Sequence, residues 1–423
     1  MKRSSSSVPP SSTITASGDA FARATPMTAL LLRVLFMFCV LAFGGFALTN
    51  LLHSPLSGWA IGELLINYEG GFVRRGLFGQ LFFETGSPLK SATLTQKIIV
   101  SLFFLGCSFL MFLWRDVRSS IAVFTLFVFA PGALFDMVSS AHFEYLDRKE
   151  IWFYVSLIIT IFYAKVIGFF RPSTSIVLGF MSSLMILHHE LYFLYFSVPI
   201  AVVYLFSAFV ENDRRRAFQG IFYLAINTAA FLLVVSNSGT PEVVSSILAS
   251  YHETDARGIK GGIAAMGWNF SHSYQLSVRM MRDGSLIYWG FFMLIAFLLV
   301  IHAAIAVAKN SFALILSAFF VFWLLLAVAA SVLSGWDWGR WISMYGIGFF
   351  LLLALLKAIE GQTIDSSSRA KALEAWAAPF FRWSANNVRP SFVFVPVMIV
   401  IGIMTRMDHC CPRQLGALFN VMP

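Results

Sequence analysis

Residues 286–308 read LIYWGFFMLIAFLLVIHAAIAVA, and after Lys309-Asn310 residues 311–333 read SFALILSAFFVFWLLLAVAASVL. Neither run contains Asp, Glu, Lys or Arg, and each is long enough to cross a bilayer core of roughly 30 Å as a helix. Comparable runs lie near 31–51, 98–114, 120–135, 151–170, 174–188, 191–210, 219–235, 341–357 and 391–405. Backbone N–H and C=O groups left unpaired in lipid cost several kcal/mol each, so these segments must be helical. The sequence therefore predicts an all-α polytopic membrane protein, with about eleven transmembrane helices and interfacial helices in its outer loops.

Composition agrees. The 423 residues are 58% hydrophobic and only 12% charged, against roughly 25% charged in a soluble domain. Residues 1–26, rich in Ser, Thr and Pro, bury too little surface to offset ordering entropy and are expected to form a disordered cytoplasmic tail. Residues 27–406 form the transmembrane domain, and 407–423 a short outer tail. Cys39, Cys107, Cys410 and Cys411 have neither metal-ligand nor disulfide-framework spacing.

Orientation follows from the basic flanks. A cytoplasmic N-terminus puts Arg33, Arg115, Arg118, Lys165, Arg171, Arg214-Arg215-Arg216, Lys309 and the segment from Lys357 to Arg389 on the inner side. The inner face then holds about 17 Lys/Arg against about 7 Asp/Glu, and the outer face about 13 against about 14. Membrane orientation thus accounts for the net charge of +9, and a nucleic-acid partner loses its support. The segment 174–210 has no Gly or Pro at His188-His189-Glu190, yet one helix of that length would exceed 50 Å, so it is read as two crossings.

Outer connections then fall at 52–97, 136–150, 188–190, 236–285 and 334–340, and they carry most of the titratable groups. In the first, Glu69 precedes Gly70-Gly71-Phe72-Val73-Arg74-Arg75-Gly76. Arg74 and Arg75 are equipped either to clamp a phosphate bidentately or to anchor the loop among lipid headgroups. Leu77 to Phe83 reads as an interfacial helix. The second connection brings Asp136, His142, Glu144, Asp147, Arg148, Lys149 and Glu150 together. Carboxylates beside cations can deprotonate a hydroxyl next to an anionic leaving group, although Asp147 also suits the cap of the next helix.

His188, His189 and Glu190 could address a substrate, but they lack a third metal ligand. The last connection surrounds Asp337 and Arg340 with Trp336, Trp338 and Trp341, a sugar platform or an interfacial aromatic belt. The long 236–285 connection reads as a partly helical lid.

This layout resembles the C-type glycosyltransferase superfamily and the O-antigen or exopolysaccharide polymerases of bacteria, and the string Gly71-Phe72-Val73-Arg74-Arg75-Gly76 is similar to one in bacterial multi-span proteins. The resemblance implies an enzyme of the bacterial inner (cytoplasmic) membrane that uses a polyprenyl-phosphate-linked sugar on the extracytoplasmic side. It makes membrane lipid, the lipid-linked sugar and envelope polysaccharide assembly proteins the expected partners. It casts Glu69 as the general base, with Glu144 and Asp337 as further catalytic acids. Arg74, Arg75, Arg148 or Arg340 would hold the lipid phosphate, and Trp336 or Trp338 would line the sugar. No cofactor or metal site is identifiable, and a divalent-cation requirement stays open. A transporter or lipid-linked-glycan flippase, and a non-catalytic envelope scaffold, are the alternatives.

Cysteines introduced at Ser140 and Ser245 should react with an impermeant thiol reagent from outside, and one at Ala217 should not; the reverse pattern would invert the orientation.

Overall fold

The computed structural model describes residues 26–404 apart from 54–55, 140–144, 252, 269, 283–284, 309, 335–336, 363–367 and 388–393, and it also describes residue 407. The expected tails at 1–26 and 407–423 therefore lie almost wholly outside the described residues.

In chain order the α-helices are α1 (Pro26–His53), α2 (Gly58–Leu64), α3 (Leu77–Phe83), α4 (Pro88–Leu110), α5 (Val117–Phe129) and α6 (Leu134–Ser139). There follow α7 (Glu150–Tyr163), α8 (Pro172–His188), α9 (Val198–Glu211), α10 (Arg214–Ser236), α11 (Pro241–Ala249) and α12 (Glu253–Ala264). The last are α13 (Phe270–Arg282), α14 (Ser285–Val307), α15 (Ser311–Ser334), α16 (Trp338–Ile359), α17 (Ser368–Asn387) and α18 (Phe394–Met404).

The chain is an all-α polytopic membrane protein. Nine helical segments among the described residues are long and apolar enough to cross a bilayer, and α8 is a shorter apolar helix of 17 residues. The eleventh expected span corresponds to α18, of which 11 residues are described. The uncertain stretch around 174–210 is indeed two helices. His189 adopts an extended conformation that ends α8, and the chain re-enters the bundle through a π-helical turn at Phe193–Ser197, just before Pro199. A π turn is the wider geometry often found where a helix is locally interrupted.

Helix α16 is the axis of the bundle. Within its membrane window 94% of residues are buried, against 22% for α1 and 28% for α10, which face outward. Its sequence is apolar all round and mixes small residues with Phe and Leu, as a helix wrapped by others requires.

Two polar ends close the bundle. At one, Arg216 bonds Ser207 and Glu211, donates to the Gln362 carbonyl at 3.2 Å, and lies 3.9 Å from the Phe170 ring centroid. Gln362 in turn accepts the Phe169 amide at 2.8 Å. The other end is built from the connections expected to be outer ones.

There the long connection carries α11, α12 and α13, and α12 packs on α2 backbone to backbone. A Cβ on Gly62 would sit 2.1 Å from the Ile259 carbonyl oxygen, and one on Gly262 would sit 2.2 Å from that of Trp59. The expected interfacial helix is present as α3, docked on the preceding loop so tightly that a Cβ on Gly79 would fall 1.8 Å from the Ile66 carbonyl oxygen.

Gly62→Ala and Gly79→Ala should each destabilise the purified protein by about 1–3 kcal/mol, the usual cost of overpacking. Unchanged thermal unfolding in detergent would mean that α2, α3 and α12 do not pack in this way.

Candidate functional site

Five short pieces of chain bring charge to the same end of the bundle. Glu63 comes from α2, and Arg74 and Arg75 from the turn before α3. Arg148 and Lys149 directly precede α7, whose first residue is Glu150. His188 closes α8, with His189 and Glu190 in the break that follows. Asp337 and Arg340 stand at the head of α16.

Two ion clusters result. In the first, Glu190 receives both Arg75 donors, Nε at 3.0 Å and Nη2 in a closer contact, while Arg74 Nη1 approaches at 3.4 Å. His189 Nδ1 also lies 3.4 Å from Glu190. Arg75 holds this fork from a left-handed backbone, φ 68°, which a bulky non-glycine residue adopts only at a cost. The loop is pinned by the Arg74 amide, which donates to the Asn237 carbonyl at 2.9 Å, at the end of α10.

In the second cluster Arg340 bonds Glu150 and Asp337, and its Nη1 reaches to 3.9 Å from Glu63. Arg148 lies 3.7 Å from the same Glu63 oxygen. Gln96, buried in α4, fixes the strand of chain that carries these cations: it donates to the carbonyls of Leu146 at 2.7 Å and Arg148 at 3.2 Å, and accepts the Trp152 indole N–H.

Burial alone would raise the Glu63 carboxyl, but Arg340, Arg148 and Lys149 together hold it well below the usual carboxylate range. Burial opposes ionisation of Glu190 too, and Arg75 and Arg74 outweigh it. His189 is pushed well below its ordinary value by burial and by Arg75, so it is neutral at pH 7.

Many donors here are not satisfied. Arg74 Nε, Arg148 Nε and Nη1, Arg340 Nε, Lys149 Nζ and both ring nitrogens of His188 are buried without a hydrogen-bond partner, as are Glu63 Oε2 and Glu150 Oε2. Buried polar groups in folded proteins are nearly always paired, and unpaired ones raise the question of a missing ligand. His188 is held only through rings, 4.7 Å from Phe78 and 5.0 Å from Trp152.

The structure thus brings together Arg74, Arg75, Arg148, Lys149, His188, His189, Glu190, Asp337 and Arg340 from the sequence-derived candidates. Glu69 is not among them. It is exposed, its carbonyl accepts Ser246 at 3.1 Å, and no ion pair joins it to the clusters among the described residues.

Asp136 accepts the Gly132 amide at 2.6 Å and so shapes the turn before α6. Asp147 was expected to cap its own following helix; instead it accepts the amide of Ser57, the N-cap residue of α2, at 2.8 Å. Trp338 is 1% exposed and packs edge-on against Trp289, inside the bundle rather than on a sugar-facing surface. His142, Glu144 and Trp336 lie outside the described residues.

Sequence reading passed over Glu63 and Gln96 as site residues and gave Glu150 only as one of the acids of its connection. A lone acid in the apolar helix GWAIGEL and a lone Gln facing inward on α4 were the available signals. Among the described residues no group of three or more His, Cys, Asp or Glu is placed to hold a metal ion. No described protein family, curated protein or solved structure matches this chain.

Glu190→Gln would leave two guanidiniums without their carboxylate and should destabilise the protein by about 3–5 kcal/mol. Because Glu63 and Glu190 titrate lower in the folded chain than in the unfolded one, the stability they confer is present above about pH 4.3 and is lost as pH falls further. Thermal unfolding across pH 3–7 should show this loss in wild type and a smaller one in Glu190→Gln.

Proposed function

We propose that this chain is a membrane glycosyltransferase or polymerase that draws on a polyprenyl-phosphate-linked sugar, on the extracytoplasmic face of a bacterial inner membrane, in cell-surface polysaccharide synthesis. The observation that carries this reading is the set of buried guanidinium donors with no partner at the membrane-boundary end of the bundle. A phosphate has the charge and the acceptor geometry to engage such donors, and a lipid-borne phosphate explains why they sit where spans begin and end.

In glycosyl transfer the acceptor hydroxyl attacks the anomeric carbon while the bond to the lipid phosphate breaks. The electron pair leaves with the phosphate oxygen, where Arg74, Arg148 and Arg340 would stabilise it. The hydroxyl proton needs a carboxylate within reach. Asp337 is the best placed, being the most exposed acid of the clusters at 17% and adjacent in space to Arg340. Glu63 is a poor base, because Arg340 and Arg148 hold it ionised. A transporter would place such groups near the bilayer midplane, and these sit at span ends, which favours the enzyme.

Incorporation of radiolabelled sugar into lipid-linked glycan, per molecule of inserted protein, tests the reading. Arg74→Lys and Asp337→Asn should lower it tenfold or more, each 1.36 kcal/mol of lost transition-state stabilisation being a factor of about ten. Glu69→Gln should stay near wild type. Wild-type rates for both cluster variants would make the ion clusters structural only.

A further inference from the structure

The four guanidiniums of the site, on Arg74, Arg75, Arg148 and Arg340, face four carboxylates, on Glu63, Glu150, Glu190 and Asp337, and each guanidinium has at least one of them within 4 Å. Lys149 stands outside these pairs. It is 0% exposed, and its Nζ has neither a hydrogen bond nor an ion pair among the described residues.

The groups whose charge reaches Lys149 come from every side: Glu63 from α2, Arg75 from the turn before α3, Glu190 from the break after α8, and Glu150 from its own helix. His188, at the end of α8, also lies within its field, with both ring nitrogens unpartnered. Asp147, two residues earlier in the chain, commits one oxygen to the Ser57 amide.

A protonated Lys149 would be a buried ammonium with neither a hydrogen bond nor an ion pair among the described residues to replace its lost water. An uncharged amine avoids that cost but gives a bound anion nothing to neutralise it. Resting on the phosphate reading above, we propose that the site takes up its phosphate anion together with one proton, which Lys149 carries. The proton comes from solvent and adds to the Nζ lone pair; the resulting ammonium supplies three donors to the phosphate oxygens and the charge that matches them.

Burial brings Lys149 down to about 7, against the partial support of Glu63, Glu190 and Glu150, so the exchange falls in the physiological range. The sign follows from linkage. Above about pH 7 the empty site has lost the proton and the complex retains it, so anion affinity falls about tenfold per pH unit; below about pH 7 it is flat.

The test is titration calorimetry of the full chain in detergent with a polyprenyl phosphate and, separately, with inorganic phosphate, at pH 8 in buffers of different ionisation enthalpy. Wild type should take up about one proton per anion bound. Binding of the polyprenyl probe alone would identify a lipid-borne source, and binding of both a free-phosphate site, with uptake supporting the proposal in either case. Lys149→Arg keeps the charge at all these pH values, so it should bind without uptake and with an affinity that is level from pH 7 to 9. Asp147→Asn should leave the uptake unchanged.

Binding by wild type without proton uptake overturns the inference and leaves the phosphate reading standing. Equal uptake in Lys149→Arg, which a phosphate protonating itself would give, overturns it as well, and so does loss of uptake in Asp147→Asn, which would make Asp147 the counter-charge. If neither probe binds even at pH 6, the phosphate reading itself falls.

Discussion

A charge taken out of water costs several kcal/mol unless an opposite charge and hydrogen bonds replace the solvent, and this chain buries many such groups at one end of an otherwise apolar bundle. That requirement organises this end of the molecule. Arg75 accepts a strained backbone so that its fork can meet Glu190, and Glu63 stays ionised in a buried helix because Arg340 and Arg148 approach it. Four connections far apart in sequence are tied together by these pairs. Loops that would otherwise move independently thus form one fixed surface at the membrane boundary.

Pairing alone would give a closed network with no donor to spare. The geometry departs from that: guanidinium nitrogens, the Lys149 amine and an imidazole remain without hydrogen-bond partners, and so does one oxygen each of Glu63 and Glu150. Breaking a buried network is expensive, so a protein that only needed rigidity would gain by replacing such groups with apolar ones. The proposed phosphate site rests on these unpaired donors.

The spans were legible because lipid leaves an unmistakable mark, long runs without charge, and the helices follow those runs, although α4 starts well before its run, at Pro88. The helical hairpin at His188-His189-Glu190 was also legible, from length and from the Arg214–Arg216 triplet, although no turn residue announces it. Clustering of the outer charges could be expected from their shared side, but individual roles could not. Glu69 stands next to the arginines in sequence and apart from them in space, while Glu63 does the reverse, because the intervening turn at Gly70 and Gly71 carries the chain away and back. Gln96 and Asp147 act over 50 and 90 residues of separation, which no local pattern encodes. Trp338 looked like part of an exposed aromatic belt because three Trp fall within six residues, yet one helical turn suffices to aim its ring into the bundle.

The axial position of α16 bears on how the protein is made. Chains enter the membrane from the N-terminus onward, and this helix arrives after most others have been synthesised. Until then α7 and α2 carry Glu150 and Glu63 without Arg340, and a single late arginine completes the pairing of acids laid down far earlier in the chain.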